Sequence, residues 1–186
     1  LYPPEEDGKC TVAVVYEIED AELLPENGHY LSVDLGLHNL MTCYDSKGRS
    51  FILGRKYLSI CRRYDKEIAH VQSQWASTQA AQGIRYPKSS KHLLKLYKRK
   101  KNSIWDYLHK LTRYLVDYCQ KEGIHTVITG DVTGIRKGKD LGNRTNQKLH
   151  GLPYAKIYTM LEYKLSLYGI RFVKQTESYT SQCSPF

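Results

Sequence analysis

Apolar and polar residues alternate from Cys10 to Ile18, through Val12, Val14, Tyr16 and Ile18, which predicts a β-strand. The stretch Glu19 to His29 breaks that pattern with acids, Pro25, Asn27 and Gly28, and reads as a linker. Three short apolar runs follow: Tyr30 to Leu35, ending at Gly36, then Leu40 to Tyr44, then Phe51 to Leu53. The turn residues Asp45-Ser46-Lys47-Gly48 join the last two, so the three runs predict an antiparallel meander. Leu58 to Ser77 is a polar, mildly amphipathic helix, and Gln82 to Ser90, with Gly83 and Pro87, is a break. Lys91 to Glu122 is a long helix whose Ile104, Leu108, Leu111, Leu115 and Cys119 form one apolar stripe, with Gly123 placed to cap it. The β-branched run Thr126 to Thr129 predicts a buried strand that ends at Gly130-Asp131. Thr133 to Gly151 reads as a loop. Pro153 opens a helix over Tyr154 to Tyr168, closed by Gly169, and Arg171 to Gln175 is a last strand. A meander followed by helix-separated strands predicts an α/β fold: a mixed sheet with helices packed on it. The linker sets a domain boundary, giving 1–28 as the end of a preceding β domain and 29–186 as the main domain.

Composition sharpens this picture. At 186 residues and 41% hydrophobic, the chain can build a core, which excludes wholesale disorder. No run approaches the ~20 apolar residues that span a bilayer, so no membrane partner is expected. Leu1 starts without methionine or a signal-peptide pattern, and the chain reads as part of a longer soluble protein. Five scattered cysteines predict a reducing, cytoplasmic setting rather than a disulfide framework. No C-x-x-C pair occurs, so no zinc ribbon is visible, and Cys43 and Cys119 sit in apolar runs as core residues. A net charge of +9 draws the protein towards polyanions.

That charge is clustered. Lys91, Lys95, Lys98, Arg99, Lys100 and Lys101 crowd the start of the long helix, and Arg136, Lys137, Lys139, Arg144 and Lys148 crowd the loop after Asp131. A helix face of this kind can be simply solvated, but two such clusters together suit a phosphate backbone. Three acids stand at the ends of three strands: Asp34, Asp131 and Glu177. Carboxylates at strand ends can hold two Mg²⁺ ions for phosphodiester hydrolysis. Asp34 could equally cap the turn after Gly36.

Four motifs occur in order. They are Tyr30-Leu31-Ser32-Val33-Asp34-Leu35-Gly36-Leu37-His38-Asn39-Leu40, Asp106-Tyr107-Leu108-His109-Lys110-Leu111, Gly130-Asp131-Val132-Thr133-Gly134-Ile135-Arg136-Lys137, and Tyr179-Thr180-Ser181-Gln182-Cys183. Together they resemble the TnpB family of transposon-encoded nucleases, related to type V CRISPR effectors. The resemblance implies an RNase H-like (RuvC) fold, Mg²⁺-dependent (or Mn²⁺-dependent) DNA cleavage, a DNA target and a guide RNA. It carries Asp34 over as a metal ligand and brings His109 and Lys110 into the nucleic-acid-binding set. It also makes the first predicted strand part of a wedge-like barrel domain. Two departures stand out. Many relatives read Glu-Asp-Leu in the second RuvC motif, whereas Gly130 stands at the Glu position here. Glu177 is therefore expected to supply the second carboxylate, with Asp131 as the other candidate. Cys183-Ser184-Pro185-Phe186 departs from the family's zinc-ribbon spacing, so Cys183 is a poor zinc ligand. The family's third catalytic Asp should lie beyond Phe186, leaving this stretch inactive alone. Two other readings remain: a guide-directed DNA-binding repressor without cleavage, favoured by Gly130, and an actin-like ATPase or sugar kinase, suggested by the Asp34-Leu35-Gly36 hairpin.

Overall fold

In the computed structural model, residues 12–19, 21–85, 89–132 and 152–175 are described. Strand β1 (Tyr30–Asp34), β2 (Met41–Asp45) and β3 (Ser50–Leu53) form the meander. A helical pair follows, α1 (Tyr57–Ala81) and α2 (Lys91–Glu122). Then come β4 (Thr126–Gly130), α3 (Tyr154–Ser166) and β5 (Arg171–Gln175). The sheet order is β3-β2-β1-β4-β5. β1 pairs antiparallel with β2 and parallel with β4, and β4 pairs parallel with β5. This is the mixed sheet that the alternation in the sequence predicts.

The strands bury one face. Leu31 and Val33 of β1 are solvent-free, as are Met41 and Cys43 of β2 and Val127 of β4. They pack against the α2 stripe of Leu108, Leu115, Val116 and Cys119 and against Ile157, Leu161 and Leu165 of α3. Each fully buried leucine stabilises the fold by about 1.5–3 kcal/mol. The Cys43 and Cys119 thiols lie in this core, and burial pushes both up to about 12. The other face carries Tyr30, Ser32, Asp34, Tyr44 and Ile52, all exposed. A smaller cluster of Ile68, Leu93 and Leu96 joins α1 to α2 away from the sheet. At the start of α2 the Ser90 hydroxyl accepts from the Leu93 N–H at 3.1 Å; at its end Gly123 takes a left-handed cap with φ 68°.

The strand expected over Cys10 to Ile18 is not formed by its described part, residues 12–18, which carry no strand. Val12, Val14, Val15 and Tyr16 are 65–93% exposed. Alternation fits a pleat, but a strand also needs a neighbour to satisfy its backbone groups. Nearer the sheet the segment is anchored: the Leu24 N–H donates to the Gly169 carbonyl at 2.8 Å and the Asn27 side chain donates to the Gly123 carbonyl at 2.9 Å.

Candidate active site

Because β1, β4 and β5 run parallel, their carboxyl ends share one edge of the sheet. Asp34 closes β1 there with an exposed side chain. Among the described residues no salt bridge engages it, and its side chain is exposed to solvent. Gly130 closes β4, and Val33 pairs with Thr129, so one further step of the register sets Gly130 beside Asp34. The pleat puts Asp34 and Gly130 on the same face, since Leu31 and Val33 turn to the core. On the β4 side the neighbour of Asp34 therefore has no side chain, while on the β2 side Thr42 pairs with it.

Asp131 follows one residue later, half-buried, and its N–H donates to the Gln175 carbonyl at the end of β5 at 2.7 Å. Alternation would send its side chain to the opposite face from Asp34. Above this edge the Tyr158 hydroxyl of α3 donates to the Gly130 carbonyl at 2.6 Å and accepts from the Val132 N–H at 3.1 Å. Tyr158 thus fixes the end of β4 and the start of the chain beyond it. Glu177, expected to complete the site, lies outside the described residues, two positions past the end of β5. Among the described residues no group of three or more His, Cys, Asp or Glu gathers to hold an ion. The Asp34 carboxylate is a hard oxygen donor of the kind Mg²⁺ and Mn²⁺ take, and it alone among the acids expected here is described with an exposed side chain at this end of the sheet.

The basic cluster is a surface. Lys91, Lys95, Lys98, Arg99 and Lys101 are exposed on α2, whereas Lys100 is half-buried and paired with Asp65 of α1. Lys110 is exposed and holds Asp106 at 2.7 Å one turn away. His109 is half-buried, edge-on to Trp105 with ring centroids 4.9 Å apart. Burial, and then the Lys164 ammonium, lower the His109 pKa against the pull of Asp106. Arg136, Lys137, Lys139, Arg144, Lys148 and Cys183 lie outside the described residues.

Two features escape a reading of the sequence alone. Asp45, which reads as a turn residue, is fully buried and bonded to Tyr118 of α2. Trp105 stands one helical turn before His109 and, with Met160 and Tyr163 of α3, lines a cleft. The only local signal for it is that i, i+4 spacing; the partners are more than fifty residues away.

A family model described as a probable transposase, OrfB_IS605, matches residues 13–136, and a second model, the Cas12f1-like TNB domain, matches residues 154–185. The CRISPR-associated endodeoxyribonuclease Cas12f1 of Sulfoacidibacillus thermotolerans is 38% identical over 77 residues, covering 41% of this chain and 17% of that protein. A cryo-EM structure of a Cas12f1-sgRNA-target DNA complex superposes with a TM-score of 0.60 at 17% identity, over 85% of this chain and 38% of the other. A CRISPR-Cas12f ternary complex gives the same TM-score and identity over 92% of this chain and 33% of the other. At that identity the structural likeness speaks for the fold, and the chain spans well under half of each relative's length. With the first model covering more than half of its residues, the chain belongs to the OrfB_IS605 family of probable transposases.

Proposed function

We propose that this chain forms the nuclease core of an RNA-guided DNA endonuclease, in which Asp34 is the first ligand of a divalent metal centre. The observation that carries this reading is the exposed Asp34 carboxylate at the edge where three parallel strands end. Guide RNA and target DNA come to this chain from its relatives, whose complexes contain them. Mg²⁺, or Mn²⁺ in its place, would activate water and neutralise charge developing on the scissile phosphate when bound there. The chain's own residues do the rest. Asp34 offers oxygen ligands, and Glu177, two positions past β5 in the sequence, supplies the carboxylate that Gly130 lacks. Tyr158 keeps the end of β4 in place, and the exposed cations of α2 hold the backbone of the nucleic acid.

The test is DNA cleavage by the full-length protein with its guide RNA. Asp34→Asn and Glu177→Gln should each lower Mg²⁺-dependent cutting by more than about 100-fold, while Asp131→Asn should do much less. Normal cutting by the Glu177 variant would end its assignment. The Gly130 position beside Asp34 favours a second reading, a guide-directed DNA binder without cleavage. Target binding with no cutting by the wild-type protein, in either metal, would establish that one instead.

A further inference from the structure

Between α2 and α3 lies a cleft of about 390 Å³, lined by Trp105 and His109 from α2 and by Lys156, Thr159, Met160 and Tyr163 from α3. That volume lies in the range of small-molecule sites. Met160 is buried and forms its floor, while Trp105 is 47% and Tyr163 44% exposed and present their rings to solvent. The two rings offer apolar surface to the cleft, and the edge-on contact with His109 holds the Trp105 ring in place. The Lys156 ammonium stands 5.8 Å from the centre of the Trp105 ring, and the Lys164 ammonium 5.9 Å from that of Tyr163.

Two polar side chains at or beside the cleft are tied into the fold. The Thr159 hydroxyl donates to the Ala155 carbonyl at 3.1 Å. Lys164 donates to the His109 carbonyl at 2.9 Å and to the Thr112 hydroxyl at 2.7 Å. The cleft itself presents the rings of Trp105, His109 and Tyr163 and the Met160 thioether, with the Lys156 ammonium at its rim. Rings beside cations are the equipment for stacking an unpaired base while neutralising its phosphate. A strand of fixed sequence is read by hydrogen bonds to its base edges, whereas stacking on a ring accepts any base. A DNA strand whose sequence changes from target to target needs only a ring to stack on.

We infer that the cleft between α2 and α3 takes an unpaired base of single-stranded DNA, stacked on Trp105 with its phosphate near Lys156. The inference rests on the nucleic-acid reading above but uses none of the acids proposed for the metal. The experiment compares the affinity of the full-length protein for three labelled twelve-mers by fluorescence anisotropy: thymidine DNA, an abasic deoxyribose-phosphate strand of equal charge, and uridine RNA. The base-bearing DNA should bind roughly five- to a hundredfold more tightly than the abasic strand. Trp105→Leu should erase that preference, Trp105→Phe should keep most of it, and DNA should bind more tightly than RNA by a margin that Trp105→Leu removes. Trp105 is half-exposed, and the Phe variant separates loss of a stacking face from loss of folding.

A base preference that survives Trp105→Leu overturns the inference while leaving the nucleic-acid reading intact. Failure to bind any of the strands overturns both. RNA bound through Trp105 as tightly as DNA, or more tightly, overturns the assignment to DNA.

Discussion

The Asp45 carboxylate, closed off from solvent, accepts from the Tyr118 hydroxyl at 2.7 Å and from the Lys47 N–H at 2.7 Å, and pairs with Arg49 at 3.2 Å. Arg49 in turn pairs with Glu122 at the end of α2, and the Lys47 ammonium donates to the Glu122 carbonyl at 3.2 Å. The turn between β2 and β3 is thus clamped to the helix that covers the sheet. Burial alone would raise the Asp45 pKa, but the Lys47 N–H and the Tyr118 hydroxyl, with the charges of Arg49 and Lys47, lower it on balance. A carboxylate depressed in the folded state contributes stability above the ordinary carboxylate range and loses it as pH falls through the folded value. Tyr118→Phe should therefore cost about 1–3 kcal/mol at neutral pH and much less in strong acid, as read from urea unfolding at both. An equal cost at both would show that the Tyr118 hydroxyl contributes independently of the Asp45 charge, since the variant keeps the ring and its contact with Phe51 at 4.6 Å. Asp34 was legible in the sequence because a strand pattern and a following glycine mark a strand end locally. The bond from Asp45 to Tyr118 spans 73 positions, and no local pattern marks it.

Elements whose signals are local came through almost unchanged. α2 runs from Lys91 to Glu122 as its apolar stripe and its glycine cap predict, and β5 spans Arg171 to Gln175. The strand over Cys10 to Ile18 failed for the opposite reason, since its pattern is local but its stability would depend on a partner strand. Turn geometry adds a finer distinction. Gly54, between β3 and α1, has φ 85°, and a Cβ there would stand 2.4 Å from the Leu40 Cβ. Gly123 has φ 68° with open space around it. Gly123→Ala should cost about 1 kcal/mol from backbone strain alone. Gly54→Ala adds a collision with a buried leucine and should cost at least about 1 kcal/mol more. Thermal unfolding of the two variants checks the order, and equal losses would mean that Leu40 yields freely.

Over the whole molecule the charge is divided from the core: α2 presents its basic residues outward and its leucines to the sheet. If that face holds phosphates, replacing Lys91, Lys95, Lys98 and Arg99 together by glutamine should weaken DNA binding. It should also flatten the slope of log affinity against log salt by up to about 3. An unchanged slope would mark the face as solvated surface only. The charge and the family motifs pointed in the sequence to the proposed nucleic-acid partner, but the candidate site was legible only in part. Asp34 could be placed, but the neighbour it faces depends on parallel pairing between segments far apart in sequence. That pairing carries a consequence for how the protein is made. Tyr30 and Thr126 meet across 96 positions, with the whole helical pair between them. During synthesis the meander can close as soon as its own hairpins emerge, yet one border of β1 then has no companion until β4 leaves the ribosome. For that interval the backbone beside Asp34 is an open template for any passing strand, and closing so long a loop is slow.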